Sequence, residues 1–179
     1  MDSPTANFHG LYRDILLGPN GQLLDDRGWQ RNTIVDSCRV LLAGFITNDT
    51  NTPTAGIQYL AVGRGLESWD SEGAPASDPT TTLGLQDPSP VQIPITELDV
   101  DYLDTNDEIV AQPTPRIQIK VTLAAGFPPP VSPAQSYPLR EFGLFGRFNN
   151  NDFMINSIRH PVIRKDINAS LIRLVRLYF

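Results

Sequence analysis

Few side chains in this 179-residue sequence are of the types that carry chemistry. The imidazoles are His9 and His160, and the one thiol is Cys38. Their separation does not match the ligand spacing of zinc sites, and no Gly-x-Ser-x-Gly or Cys/His motif indicates a nucleophile. Cys38 falls on the apolar face of a predicted helix, which indicates a buried, inert thiol. We therefore predict no catalytic residue, no cofactor and no metal, and expect that the protein is not an enzyme.

Two further patterns bear on ligand binding. Gly63-Arg64-Gly65 follows an apolar run, but Ser68 stands where the dinucleotide fingerprint has its third glycine, so a phosphate cradle is not predicted. A group of four acidic residues raises the possibility of calcium. These residues are Asp99, Asp101, Asp104 and Asp107. They lack the ligand order and mid-loop glycine of an EF-hand, so we interpret them as a solvated acidic face.

Aromatic and arginine side chains are the candidates for contacts with a partner. Trp29 and Trp69 indicate packing anchors, interface residues or a surface for stacking sugars. Arg173 and Arg176 point to opposite faces of an extended segment, so at least one of them lies at a sheet margin, pairs with an acid or faces a partner. The possible interface residues are Trp29, Arg64, Trp69, Arg173 and Arg176.

Charge is unevenly distributed along the chain. The net charge is −6 and the pI about 4.8, which argues against nucleic acid as a partner. Residues 49–108 contain 12 acidic residues and one base, whereas residues 109–179 contain 9 bases and 3 acids. One interpretation is a solvated acidic loop region beside an arginine-rich sheet face. The other is that opposite ends attract opposite faces of neighbouring subunits.

The sequence also bears on where the protein is made. Residues 1–10 contain no basic-then-apolar signal, and no run approaches about 18 apolar residues, so we expect neither export by a signal peptide nor a membrane span. A single cysteine excludes an internal disulfide framework. We therefore expect a protein made in a cytoplasm.

Local patterns predict a mainly β fold with one amphipathic helix. Residues 139–146 predict a buried strand that passes close to another backbone at its glycines, and two further strands are predicted at 153–159 and 170–179. Apolar periodicity predicts the helix at about 33–46, capped by Asn32 or Thr33. Its predicted apolar face consists of Ile34, Val35, Cys38, Leu41, Leu42, Phe45 and Ile46. We expect a single antiparallel, jelly-roll-like β-sandwich domain over residues 1–179.

The segments around these elements predict turns, loops and edges. Gly18-Pro19-Asn20-Gly21 predicts a β-hairpin turn, and residues 116–123 predict a strand with one apolar face. Pro94 predicts an edge or interrupted strand, and the acidic, proline-rich residues at about 66–90 predict a long exposed loop.

The order of these features resembles a group of small structural proteins of tailed bacteriophages. The resemblance rests on Trp29 to Asn32 before the helix, the strand that ends at Val62-Gly63-Arg64-Gly65, and Leu139-Arg140-Glu141-Phe142-Gly143-Leu144-Phe145 followed by Ile163-Arg164-Lys165. Proteins of this group occur among tail, neck or collar, baseplate and fibre-associated components. The acidic, proline-rich middle departs from their pattern at Thr82-Leu83-Gly84-Leu85.

The resemblance implies a virion structural protein that acts by oligomeric assembly. It would bind other virion proteins in a ring or trimer, after assembly in the host cytoplasm, without nucleic acid or membrane as a partner. A capsid decoration protein is one alternative. A carbohydrate-binding module for receptor recognition, using Trp29, Trp69 and the long loop, is another.

Overall fold

The computed structural model describes residues 8–47, 54–71, 80–131 and 135–179. Within these ranges the chain is mainly β, with one α-helix, which confirms the predicted class. The strands are β1 His9–Leu17, β2 Leu23–Asp26, β3 Gln30–Ile34, β4 Thr54–Gly63, β5 Val91–Pro94, β6 Asp99–Leu103, β7 Ile109–Val110, β8 Arg116–Leu123, β9 Ser136–Phe148, β10 Asn151–Asp166 and β11 Ser170–Tyr178. The helix is α1 Asp36–Thr47. No helix in the described ranges is long and apolar enough to cross a membrane.

All strand pairs are antiparallel and belong to one 11-stranded sheet. The hydrogen-bonded order is β5-β4-β9-β10-β3-β1-β11-β8-β6-β7, with β2 beside β1. Strand β3 pairs with β1 through Gln30–Asn32 and with β10 through Thr33 and Ile34. We call β5-β4-β9-β10 the first half-sheet and β1, β2, β11, β8, β6 and β7 the second. The sheet does not close, and the predicted jelly-roll sandwich is not confirmed.

Side chains from both half-sheets share one hydrophobic core. The main cluster combines Leu60, Phe142 and Leu144 of the first half-sheet with Ile119 and Val175 of the second. The Tyr12 ring meets the Phe142 ring edge-on at 5.6 Å between centroids, although two strands, β10 and β3, separate β1 from β9 in the hydrogen-bonded order. The sheet is therefore folded so that its two halves pack on each other.

The predicted central strand is confirmed within β9. Its residues from Leu139 to Phe145 are all buried. A Cβ on Gly143 would lie 2.8 Å from the Asn156 carbonyl oxygen, which is closer than a real Cβ approaches backbone. The glycine is therefore required for the close backbone approach. The following turn, Asn149-Asn150, has φ of 49° and 60°, the left-handed pair of a two-residue hairpin that joins β9 to β10.

Several other local predictions are also confirmed. Gly18-Pro19-Asn20-Gly21 joins β1 and β2 as a hairpin, with Gly21 at φ 75°. Strand β8 directs Ile119, Val121 and Leu123 into the core. Pro94 ends β5, which lies at one edge of the sheet and has β4 as its neighbour.

The helix ends close to its predicted position, but it begins later than predicted and its last turn is more exposed than the apolar periodicity indicates. It begins at Asp36 because Thr33 and Ile34 pair with β10, so the predicted cap at Asn32 or Thr33 is wrong. The Asp36 amide instead donates to the Thr80 carbonyl at 2.8 Å. At the other end Phe45 is 50% exposed and Ile46 is 86% exposed, although the apolar periodicity placed both on the buried face.

The predicted loop at about 66–90 is only partly an exposed loop, and its residues 72–79 lie outside the described ranges. Glu67–Asp70 forms a 3₁₀ turn that buries Trp69, and Asp87 is also buried. Two parts of this segment are therefore anchored on the sheet.

Candidate functional site

An apolar groove lies between α1 and the open edges of the folded sheet. Its volume is about 370 Å³. The lining comes from five strands, α1 and the last residue: Cys38, Leu41, Leu42, Phe45, Gly56, Ile57, Val100, Asp101, Tyr102, Ile117, Ile155, Leu177 and Phe179. We call this feature the apolar groove. Asp101 is the one residue of a charged type among these lining residues, and it alternates along β6 with Val100 and Tyr102.

The floor of the apolar groove is buried and its rim is exposed. Leu177, Cys38 and Leu41 form part of the floor, and burial raises the pKa of the Cys38 thiol to about 11. On the rim, Phe45, Val100 and Phe179 are 50%, 44% and 39% exposed. Large exposed apolar side chains that surround one concavity are typical of a docking surface.

The rim follows from the pairing of β6 with β8. Val100 lies opposite Ile119, and Tyr102 lies opposite Ile117. Residues directly opposite each other in antiparallel strands share a face, so both β6 side chains lie on the core face. They remain exposed because β6 is near the margin of the second half-sheet and no described strand of the first half-sheet covers them.

Strand β6 also has a free stretch of backbone edge. Its inner edge pairs with β8 from Asp99 to Tyr102, whereas its outer edge pairs with β7 only at Tyr102 and Leu103. Within the described ranges, no strand pairs with the outer edge of Asp99–Asp101. This edge therefore presents backbone donors and acceptors directly beside the apolar groove.

A second feature is a charged cluster buried between the half-sheets. Arg173 on β11 is 0% exposed and holds Asp14 on β1 in two hydrogen bonds, Nε to Oδ1 at 2.6 Å and Nη2 to Oδ2 at 2.9 Å. The two residues are direct partners in the β1–β11 ladder. The guanidinium also lies 3.6 Å from the centroid of the Phe142 ring. A planar, bidentate pair stacked on an aromatic face stabilises both charges away from water.

His160 completes this buried cluster. Its Nε2 lies 3.0 Å from Arg173 Nη2, which can only donate, so Nε2 accepts and the proton is on Nδ1. Nδ1 donates to the Pro161 carbonyl at 2.8 Å. Burial, followed by the nearby Arg173 charge, lowers the pKa of His160 to about 4. Burial alone would raise the pKa of Asp14, but Arg173 more than offsets this and lowers it. The cluster therefore consists of a neutral His160 imidazole beside the buried Asp14–Arg173 ion pair.

A third feature fixes the segment after β4. Arg140 holds Asp70 through Nε and Nη2, both at 2.7 Å, and donates to the Arg64 carbonyl at 2.8 Å. Glu141 accepts the amides of Gln86 at 2.9 Å and Asp87 at 2.6 Å. The adjacent Arg-Glu pair of β9 therefore anchors both described parts of the long segment by side-chain hydrogen bonds.

The five predicted interface residues fall into three groups. Trp69 and Arg173 are buried within the protomer: Trp69 packs beneath the Arg159 guanidinium, and Arg173 pairs with Asp14, which is the acid-pairing alternative given above for Arg173 and Arg176. Arg64 is half-buried and bonded to Asp87. Trp29 and Arg176 come together, with the guanidinium 4.2 Å from the centroid of the ring.

The acidic residues of the middle segment are mostly engaged within the chain. Asp107 binds Arg176 at 2.9 Å, and Asp104 accepts the amides of Asn106 and Glu108. Asp99 lies 3.2 Å from Lys120. Asp101 makes no hydrogen bond or ion pair with a described residue. Across the described ranges, no group of three or more histidine, cysteine or acidic side chains is placed to hold a metal ion.

Sequence reasoning missed the apolar groove. The alternation of Val100 and Tyr102 with Asp99 and Asp101 was a usable signal for a two-faced strand, but the edge position of that strand depends on long-range pairing. Comparison of the chain with protein-family models, with curated proteins and with solved structures found no match in any of the three.

Proposed function

We propose that the protein is a virion structural component that acts by binding other protein chains. The proposed location is the tail, neck or collar, baseplate or fibre-attachment region of a tailed bacteriophage. The location comes from the resemblance described above. The mode of action is supported by the apolar groove, whose rim exposes Phe45, Val100 and Phe179 around a buried floor. This one observation carries the proposal.

The arrangement suits a protein that docks as a rigid part. The half-sheets share one core, and the Arg140 and Glu141 anchors hold the segment after β4 on the sheet. A groove between packed elements keeps its shape before a partner binds, which lowers the ordering cost of association.

The two tryptophans give the glycan-binding alternative less support than the apolar groove gives assembly. Stacking a sugar needs an exposed aromatic face, but Trp69 is buried, and the Arg176 guanidinium covers one face of the half-buried Trp29 ring. No specific observation therefore favours this alternative over assembly.

Proteomic analysis of purified particles tests the proposal. We expect the chain at a fixed copy number in intact particles after density-gradient purification, and immunogold labelling on the tail or neck. Labelling spread over the head would favour the capsid decoration alternative. A chain that is absent from particles but abundant in the infected-cell lysate would overturn the virion assignment.

A groove variant tests the mode of action separately. Phe45→Ser should fold, because the side chain is half-exposed, and should reduce incorporation of the protein into particles. Leu83→Ser is the matched control, since Leu83 is 77% exposed and does not line the apolar groove. Equal incorporation of both variants would show that the apolar groove is not the docking surface.

A further inference from the structure

We propose that the outer edge of β6 at Asp99–Asp101 accepts an extended segment of a partner protein as an additional strand. The segment would alternate basic and apolar residues and would direct its apolar side chains into the apolar groove. This inference specifies the chemistry of the partner in the proposed assembly role and rests on that role only for the existence of a partner.

The first step is the availability of the backbone edge. Strand β6 is regular in its pairing with β8 from Asp99 to Tyr102, so its outer donors and acceptors have the spacing of a strand ladder. Strand β4 before Tyr59 is a second edge beside the apolar groove that no described strand covers, and it carries register shifts at Ala55/Ile57 and Ile57/Tyr59. Such irregularities interfere with pairing, so β6 is the better template.

The second step is the direction of the side chains. A residue placed opposite Val100 would share its face and point toward the apolar groove. The residues opposite Asp99 and Asp101 would lie on the other face. The residue of the added strand opposite Val100 would therefore place an apolar side chain in the groove. Its two neighbours in the added strand would lie opposite the carboxylates of Asp99 and Asp101.

The third step is charge. Asp101 has no ion pair with a described residue, and Asp99 has Lys120 at 3.2 Å in an exposed pair. A lysine or arginine opposite Asp101 would supply the missing counter-charge, and opposite charges directly across a ladder are stabilising. The proposed segment therefore has a basic-apolar-basic core.

The same charges argue against a second copy of β6 as the occupant. Two-fold antiparallel pairing centred on Val100 would place Asp99 of each copy opposite Asp101 of the other. Like charges directly opposite are destabilising. A heterologous basic strand avoids this repulsion.

The experiment titrates the purified protein with capped nonapeptides in a fluorescence anisotropy assay at low salt. The probe alternates lysine and valine. One comparison peptide replaces lysine with glutamate, a second replaces valine with serine, and a third keeps the sequence but N-methylates the backbone amides of alternate residues. We expect each change to weaken binding by about fivefold or more, because each removes one of the three contributions.

Two protein variants locate the site. Asp101→Lys should weaken binding of the lysine-valine peptide by about fivefold or more, whereas Glu97→Lys makes the same charge change at an exposed position outside β6 and should leave binding nearly unchanged. Amide hydrogen exchange provides a readout that does not depend on variants: the bound peptide should slow exchange within Asp99–Asp101.

Three outcomes would overturn the inference. They are equal weakening by both variants, undiminished binding of the N-methylated peptide, and exchange protection confined to other strands. If the peptide binds at β6 but the chain is absent from particles, the virion assignment fails and the strand-addition site stands. If the chain is in particles and the peptide does not bind, the strand-addition site fails and the virion assignment stands.

Discussion

The substitution Asp14→Asn should be among the most destabilising polar changes in the protein. It would leave Arg173, at 0% exposure, without a counter-charge in the interior. The variant loses charge assistance in two hydrogen bonds of 2.6 and 2.9 Å. Removing one partner of a buried ion pair costs about 3–5 kcal/mol. We therefore expect the free energy of unfolding to fall by about 3 kcal/mol or more.

A matched control separates burial from the ion pair itself. Asp99 and Lys120 are also direct cross-strand partners, at 3.2 Å, but their side chains are 68% and 43% exposed. Exposed pairs of this kind contribute about 0–1 kcal/mol. Asp99→Asn should therefore lower the free energy of unfolding by less than about 1 kcal/mol.

Urea unfolding followed by circular dichroism, with linear extrapolation to water, measures both changes. Replacing both buried charges, in Asp14→Leu with Arg173→Met, should cost less than Asp14→Asn alone, because neither charge is then left unpaired. His160 would lose its donor in that double variant, which adds about 1–3 kcal/mol. A loss below about 1 kcal/mol for Asp14→Asn would refute the reasoning, because it would mean that the Arg173 charge is already well solvated.

Three further outcomes are expected. The pKa of His160 is lowered to about 4 from an unfolded value of about 6.5, so the unfolded state binds more protons between these two pH values. The free energy of unfolding, measured by urea titration, should therefore fall by about 3 kcal/mol as the pH drops from about 6.5 to about 4. The same pH change should lower it much less in His160→Gln. Gly143→Ala should cost about 1–3 kcal/mol by forcing Cβ against the Asn156 carbonyl, whereas Gly84→Ala, which meets nothing within 4 Å, should be near neutral by the same assay. Cys38, with its pKa raised to about 11, should react far more slowly with Ellman's reagent in the native than in the urea-unfolded protein.

Local signals in the sequence were sufficient for much of the sheet. The turn at Gly18-Pro19-Asn20-Gly21 and the alternation in β8 depend on neighbouring residues only, and both were predicted. Gly143 and Gly146 of β9 likewise indicated a close backbone approach from local sequence alone. A glycine in a buried apolar strand has few explanations other than crowding.

The errors arise where pairing partners are distant in sequence. Thr33 and Ile34 fit a helical pattern, but they pair with Ser157 and Asn156 of β10. That pairing cannot be inferred from the local sequence around the helix. Phe45 fits the buried stripe of α1, yet it is 50% exposed and lies on the rim of the apolar groove. Both the helix start and the apolar groove therefore depend on sheet order, which local periodicity does not determine.

The distribution of charge shows the same dependence. The acidic middle and the basic end of the chain suggested either a solvated loop or attraction between subunits, but Arg140 with Asp70 and Arg176 with Asp107 join the two regions inside one protomer. Much of the charge segregation in sequence is therefore neutralised by folding. Asp101 is left without an ion pair to a described residue, and it lies on a strand whose outer edge at Asp99–Asp101 is not paired with any described strand. A partner that supplies both a strand and a cation would satisfy both at once.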